Sequence, residues 1–338
     1  MNKVKYIFRI IKGSSFKRLF KVMNDIHKKT GKNRFIMFFD IMYCFIKYGA
    51  GYNDYNIFAF YNMNGKQRST YVTRVINKKI ISMCNDPKYA YIFNDKSAFN
   101  ERFKDYLKRE FLNVSKMNEN EFTKFIKNKD VIFAKPNDGE SGKGIERLEK
   151  KNFKTIKEMY KYIKDPIHRF GVIEEEIKQH KDMAKLHPSS INALRIVTIV
   201  VDGVPHCVYV SCKMGNKGKF LDNLENDGLF CPVDKETGKI FAIAHTSKLI
   251  TYEEHPITKV KFVGYKIPYV QEAIDLALKA ALEVKEMRYI GWDVAITPTG
   301  PVIIEGNDYP GYDFWQQPEH TPDKIGLLPY YKNLLPKL

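Results

Sequence analysis

Asp293, Glu305 and Asn307 are the residues whose types and spacing point most directly to chemistry. Asp293 sits in an apolar run from Ile290 to Ile296, and Glu305 and Asn307 close a second run from Val302 to Ile304. Thr297-Pro-Thr-Gly300 lies between them as a turn. A three-residue loop, Pro298-Thr299-Gly300, with glycine in the left-handed position pairs Thr297 with Pro301 and sets Asp293 opposite Glu305. Asn307, two residues further on, shares that face, so two carboxylates and an amide oxygen converge on one spot. Such an oxygen set suits Mg²⁺ better than zinc or copper. The plain alternative is a hairpin with a frayed polar end.

Cations and carboxylates in apolar surroundings form a second group. Asp95 is a candidate N-cap where a strand ends and a helix begins, with Lys96 in its first turn, either a solvated surface lysine or a phosphate contact. The strand Val131 to Ala134 ends in Lys135-Pro136 and runs into Asn137-Asp-Gly-Glu-Ser-Gly-Lys-Gly144. Gly139, Gly142 and Gly144, with Ser141 and Lys143 among them, permit a backbone folded closely over an anion, or simply a mobile surface turn. The spacing is neither a Walker loop nor a complete Gly-x-Gly-x-x-Gly. A strand from Gly171 to Ile177 carries Glu174, Glu175 and Glu176, followed by Gln179-His180 and Asp182. These acids either balance a positive surface or border a purine, with strand backbone facing the base and Glu174 accepting from its exocyclic amine. Arg195 lies within the strand Leu194 to Val201, and Lys213 follows the strand Pro205 to Cys212. A charge in such a strand needs an anion, from a protein carboxylate or from a ligand phosphate.

The elements that must position these groups fill a chain of 338 residues, long enough for two or three lobes. Lys3 to Met23 is an amphipathic helical pattern, read as packed on the body or lying on an anionic bilayer. Phe35 to Tyr48 is an aromatic helix ended by Gly49-Ala-Gly51. Ile57 to Tyr61, Ser69 to Arg74 and Tyr89 to Phe93 are short aromatic or β-branched runs separated by Asn, Gly and Pro, and predict a small mixed N-terminal lobe. Asp202-Gly203 is a turn, residues 215 to 238 form a Gly/Asn/Asp-rich loop region, and Tyr269 to Met287 is an amphipathic helix. The net charge is +17, from 56 Lys and Arg against 39 Asp and Glu. The lysines are spread along the chain without a nucleic-acid-binding motif, so nucleic acid is not the expected partner. Five cysteines (Cys44, Cys84, Cys207, Cys212, Cys231) form no Cys-x-x-Cys pair and fit a reducing cytosol. Neither a secretory leader nor a spanning segment is read, so a cytoplasmic protein is expected.

In order and spacing, the helix-start lysine, the strand Lys-Pro with its glycine loop, the Glu-rich strand and the terminal Gly-Trp-Asp…Glu-Gly-Asn…Pro-Gly hairpin resemble the ATP-grasp superfamily over residues 94 to 311. Lys47-Tyr-Gly, Asp54-Tyr, Arg68, Gln179-His180, Ser190-Ile-Asn192…Arg195 and Asp222-Asn223 look like its sugar-transfer-associated branch, found with polysaccharide and lipopolysaccharide assembly. The resemblance implies an α/β (α+β) ATP-grasp fold, two α+β lobes sandwiching ATP. The segments expected are an aromatic-rich N-terminal domain at 1–94, a central lobe with a glycine-rich lid at 95–174, and a C-terminal lobe with the metal hairpin at 175–338. It further implies Lys96 and Lys135 as nucleotide-phosphate lysines, Gly139 to Gly144 as the loop closing over ATP, and Glu174 to Ile177 as the adenine hinge. Asp182 is the nearest ribose candidate, and Asp293, Glu305 and Asn307 are the ligands of two Mg²⁺. D-alanine:D-alanine ligases, similar in this hairpin, carry arginine two residues before the metal Asp. Here that residue is Gly291, so Arg195 or Lys213 supplies the charge, and Asn192, Asp222 and Asn223 face the substrate.

The implied activity is a cytoplasmic, ADP-forming ligation of a carboxylate to an amine through an acyl phosphate in surface polysaccharide or capsule biosynthesis. It would amidate a sugar carboxylate such as a uronic acid carried on a nucleotide or lipid diphosphate, or join an amino acid to an amino sugar. The rivals are a phosphotransferase using the same ATP site and a non-catalytic basic adaptor of a polysaccharide assembly complex.

Overall fold

The computed structural model describes residues 16–138, 143–216 and 228–338. They group into two compact units, one combining the chain up to Lys79 with Tyr312–Leu338, the other running Ile80–Gly311. The grouping differs from the expected segments in that the last 27 residues, 312–338, belong with the N-terminal portion. The side chain of Gln316 shows how. Its amide oxygen accepts from Val72 N at 2.9 Å and its nitrogen donates to Val72 O at 3.0 Å, so one side chain pairs with backbone as a strand neighbour would.

The first unit is helical among its described residues, not mixed. It holds α1 (Phe16–Thr30), α2 (Arg34–Tyr48), α3 (Tyr52–Ile57), α4 (Gly65–Arg68) and most of α5 (Arg74–Cys84), with a closing helix near the C-terminus. Asn64, between two of the runs expected to make this lobe mixed, starts a helix instead, as Asn33 starts the expected aromatic helix. Asn33 accepts from Phe35 N and Ile36 N, and Asn64 forms a reciprocal capping box with Gln67. Gly49, at φ +66°, ends α2 in the left-handed conformation that glycine adopts without steric cost. Met23, Ile26, Met37, Ile41, Tyr55, Phe58, Phe60 and Tyr71 form the core. Beside it Arg68 grips Asp40 with two nitrogens at 2.6 and 2.7 Å.

In the second unit α6 (Tyr91–Asn94) replaces the strand expected before Asp95. Then follow α7 (Lys96–Arg102), α8 (Lys104–Leu107), α9 (Glu119–Ile126), α10 (Ile156–Lys164), α11 (Lys181–Leu186) and α12 (Val270–Ala280). Two antiparallel sheets organise this unit. The smaller comprises β1 (Phe111–Asn113), β2 (Val131–Pro136), β3 (Glu146–Glu149) and β4 (Phe170–Glu175), in the order β1-β4-β2-β3. The larger comprises β5 (Ala193–Val201), β6 (Val204–Met214), β7 (Leu229–Val233), β8 (Ala244–His245), β9 (Thr251–Tyr252), β10 (Tyr289–Thr297) and β11 (Gly300–Asn307), in the order β11-β10-β5-β6-β7-β8-β9. Phe122, Ile126, Met159 and Ile163 of α9 and α10 pack with Ile132, Ala134 and Ile173 of the small sheet. α12 packs on the large sheet, whose core includes Trp292, held by its indole N–H on Thr198 Oγ1 at 2.9 Å. The Asp202-Gly203 turn has both residues at positive φ, as the tightest hairpins require.

The β10–β11 hairpin places Asp293 opposite Glu305 by a route that differs from the expected one. Its loop is two residues, Pro298-Thr299, so Thr297 pairs with Gly300 and Ile296 with Pro301, one residue tighter than the three-residue reading. A bulge then leaves Ile304 as an extra residue between the Val294↔Ile303 and Asp293↔Glu305 pairs and restores the alignment.

Candidate functional site

Lys135, next to the end of β2, holds its ammonium 2.7 Å from Glu174 Oε2 on β4. Glu174 is 3 % exposed and also accepts from Asn100 Nδ2 at 2.8 Å and Arg109 Nε at 2.9 Å. Burial alone raises this carboxyl. Arg109 and Lys135 outweigh burial and bring it down to about 2. Glu174 is thus fully engaged by protein donors, which displaces the expected contact with an exocyclic amine. Arg109 was not singled out in the sequence, yet it spans the two sheets. The same guanidinium donates to Ile303 O at 2.6 Å and Ile304 O at 3.3 Å, gripping β11 at its bulge. The readable signal was Glu174 inside an apolar strand, a charge that required a cation without saying which.

On the large sheet, Asp293 is 3 % exposed and pairs in register with Arg195 of β5. Arg195 Nε lies 2.5 Å from Oδ1 and Lys213 Nζ 2.6 Å from Oδ2. Burial pushes the Asp293 carboxyl up, but the two cations hold it well below the carboxylate range. The anion demanded by both strand cations therefore includes a protein carboxylate. A Cβ at Gly291 would lie 3.4 Å from Arg195 Cδ, so the glycine leaves the space beside it to this arginine.

A cavity of about 500 Å³ joins these clusters, lined by Lys96, Lys135, Glu174, Lys213, Asp293 and Glu305. Apolar walls come from Phe133, Ile145, Ile177, Pro188, Ile191 and Ile304, and Glu175, Glu176, Lys178 and Gln179 form one edge. Ile177 and Lys178 make no backbone hydrogen bond to the described residues, whereas Glu175 N donates to Glu110 O and His180 N to Ile296 O on either side. Glu176 also lies 3.3 Å from Arg147, a further lining residue absent from the sequence reading. Lys96 follows its N-cap Asp95, which accepts from Ala98 N at 2.8 Å. Burial lowers its pKa, as does Lys135, while Glu305 raises it.

Other sequence candidates stand elsewhere. Arg195, Asn307, Lys143 and Gly144 are not among the lining residues. Asn307 lies opposite Gly291 and its amide nitrogen is 3.4 Å from Gly291 O, so two of the three expected oxygen-bearing side chains reach the cavity wall. Asp182 does not line the cavity either; its carboxylate is 2.7 Å from Lys185 Nζ at the start of α11. Asn192 is fully buried, donating to Met183 O and His187 O and accepting from Ser190, which makes it a support for the lining loop Pro188 to Ile191 and not part of the wall. Gly139, Ser141, Gly142, Asp222 and Asn223 lie outside the described residues.

No group of three or more His, Cys, Asp or Glu able to hold a metal occurs among the described residues. Glu305, on the cavity wall, fits Mg²⁺, which takes one or two carboxylates and completes its shell with phosphate oxygens and water; Asp293, opposite it in register, joins only by exchanging a contact with Arg195 or Lys213 for the metal. No helix of the described residues is long and apolar enough to cross a membrane.

No curated protein matches the chain. Among solved structures it is similar to an ATP-grasp ligase, PsnB, complexed with a minimal precursor, at 12 % identity over 81 % of this chain and 71 % of that one, with a TM-score of 0.43. It is also similar to N5-carboxyaminoimidazole synthetase from Staphylococcus aureus complexed with ADP (11 %, 66 % and 46 %, 0.41). A third is D-alanyl-alanine synthetase A from Vibrio cholerae (13 %, 68 % and 60 %, 0.40). The chain spans 46 % and 60 % of the length of these last two. A family model described as sugar-transfer associated ATP-grasp matches residues 75–322, most of the chain, and the protein belongs to that family.

Proposed function

We propose that the protein is an ATP-dependent carboxylate–amine ligase that works through an acyl phosphate on an acid of surface polysaccharide biosynthesis. The observation that carries this reading is the single cavity uniting Lys96, Lys135, Lys213, Asp293 and Glu305 with an apolar end at Phe133, Ile145 and Ile177. The apolar end suits a purine, whose edge would be read by the backbone of Ile177 and Lys178 at the end of the Glu174 to Ile177 segment, without the contact from the Glu174 side chain to the exocyclic amine. Lys96 and Lys135 then receive the phosphates, with Lys135 held in place by Glu174. Asp293 and Glu305, with Asn307 beyond them, are the residues for two Mg²⁺, which when bound would offset phosphate charge.

In the first half-reaction a carboxylate oxygen of the acid attacks the γ-phosphorus in line, the bond to the bridging oxygen breaks, and ADP leaves. Lys213 lines the cavity and, with Arg195, bonds Asp293; the two cations would hold the acid and the phosphoryl oxygens. In the second, the amine adds to the carbonyl carbon and phosphate departs, so one ATP gives one amide, ADP and phosphate. A sugar carboxylate, a uronic acid, is the preferred acid; an amino acid joined to an amino sugar reverses which partner is activated.

The test is ADP and phosphate release across candidate acids with and without amines, combined with positional isotope exchange in ATP. An acid that alone scrambles the β,γ-bridge oxygen, with phosphate release that needs the amine, supports the ligase. Amine-independent phosphorylated product means a kinase. Exchange with amino acids and not with uronic acids overturns the substrate choice alone.

A further inference from the structure

Helix α2 is apolar on both sides. Its inner stripe, Met37, Ile41, Cys44 and Tyr48, is buried in the core of the first unit. At about 100° per residue, Phe35, Phe39, Tyr43 and Ile46 form a second stripe on the opposite side of the helix. They are 71, 56, 47 and 65 % exposed. A surface helix ordinarily places charge there. Phe35 and Phe39 pack edge to face at 4.9 Å, and Tyr43 accepts from Lys47 at 2.7 Å, so the stripe is an ordered aromatic surface with a cation at its end. The preceding helix adds Phe16 and Phe20, 52 and 53 % exposed, among Lys17, Arg18 and Lys21. Residues 16–48 carry eight Lys or Arg against two Asp, and one of these, Asp40, is neutralised by Arg68.

We propose that α1 and α2 dock this unit on an anionic lipid bilayer, with Phe35, Phe39, Tyr43 and Ile46 entering the headgroup region and the flanking lysines meeting acidic lipid. Charge decides the occupant. A second copy of the chain would bring the same cations against themselves, whereas an anionic surface answers them, and Phe and Tyr beside Lys are the side chains that settle at a lipid interface. Neither the cavity nor the proposed ligation enters this inference.

The test is sedimentation of the full chain with vesicles of phosphatidylcholine alone or with about one third phosphatidylglycerol, at low and high salt. Binding is expected to the anionic vesicles only and to weaken with salt. The combined variant Phe35→Ser, Phe39→Ser, Ile46→Ser is expected to lower the partition constant about 100-fold, each site losing part of a buried apolar side chain. Its melting temperature should be unchanged, because these side chains touch mostly solvent. The single variant Phe35→Trp, which keeps an aromatic ring at that exposed position, should shift its emission to the blue on the same vesicles. A wild-type chain left in the supernatant at low salt, or an emission of the Phe35→Trp variant that does not move, overturns the proposal. So does a dimer that the triple serine variant dissociates while wild type ignores lipid, which would make the face a contact between copies.

Discussion

Asp293 and Glu305 face each other across one hairpin, yet their neutral isosteres should fail in different ways. Asp293 is 3 % exposed and lies within hydrogen-bond distance of both Arg195 and Lys213. Asp293→Asn leaves two cations beside an amide in a largely dry site. Removing one partner of a buried ion pair costs about 3–5 kcal/mol, and the amide's remaining hydrogen bonds favour the lower end. At about 2–4 °C per kcal/mol for a unit of this size, the melting temperature should fall by roughly 9 °C. Glu305 is half-buried on the cavity wall, and no hydrogen bond or ion pair from the described residues engages its carboxylate. Glu305→Gln should therefore melt within about 2 °C of wild type while turnover drops by about a thousandfold, the scale of losing one electrostatic stabiliser of the transition state. The assay pairs calorimetry with ADP release on the same preparations. Adding Lys213→Met to Asp293→Asn should recover part of the lost stability by removing one stranded cation. If Asp293→Asn melts with wild type, the ion-pair reasoning is refuted. If Glu305→Gln keeps activity within tenfold, Glu305 is structural.

Saturating MgATP, at about 100 times its dissociation constant, should add about 2.7 kcal/mol of stability, and the increment should vanish without magnesium and in Lys135→Ala. An unchanged wild-type melting temperature would count against the nucleotide site. Acid should destabilise through Glu174. Its folded pKa, about 2, lies below the ordinary 4.5, so its contribution is full above 4.5 and is lost as pH falls toward 2, with Asp293 acting in the same sense. Glu174→Gln should flatten that acid limb of a melting-temperature profile; an identical limb would show that other carboxyls set it.

Period and turn chemistry made the β-structure of the second unit legible. The strands at Val131, Leu194, Pro205 and Ile290 stand where alternating or continuous apolar runs placed them, and Asp202-Gly203 turns as its residue types demand. In the first unit the aromatic helix at Phe35 to Tyr48 was legible and stands as α2, whereas the short helices that follow it were not, because aromatic residues fit strand cores and the cores of short helices equally well. Asn64 reads as a strand break until its capping bond to Gln67 is seen. The hairpin register came out right through two compensating departures, a tighter turn and a bulge at Ile304, neither visible in the alternation pattern.

The site was legible as unmet charge and illegible as partnership. Glu174, Arg195 and Lys213 each stand in an apolar strand, so each announces that a counterion is near, but a strand pattern carries no information about residues far along the chain. The three-dimensional answer changes what those charges do. Glu174, read as either balancing a positive surface or facing a base, holds a lysine; Arg195 and Lys213, read as needing a protein carboxylate or a ligand phosphate, share the carboxylate of Asp293. Arg109 adds a link the sequence does not announce, because one guanidinium holds both Glu174 under Lys135 and the carbonyls of Ile303 and Ile304 beside Glu305. A rigid, five-donor group is suited to that task, where a lysine could meet only part of it. Fixing the two halves of the cavity wall through one side chain positions the lysine and the carboxylate before any ligand arrives, which is the condition under which electrostatic groups contribute most to a transition state.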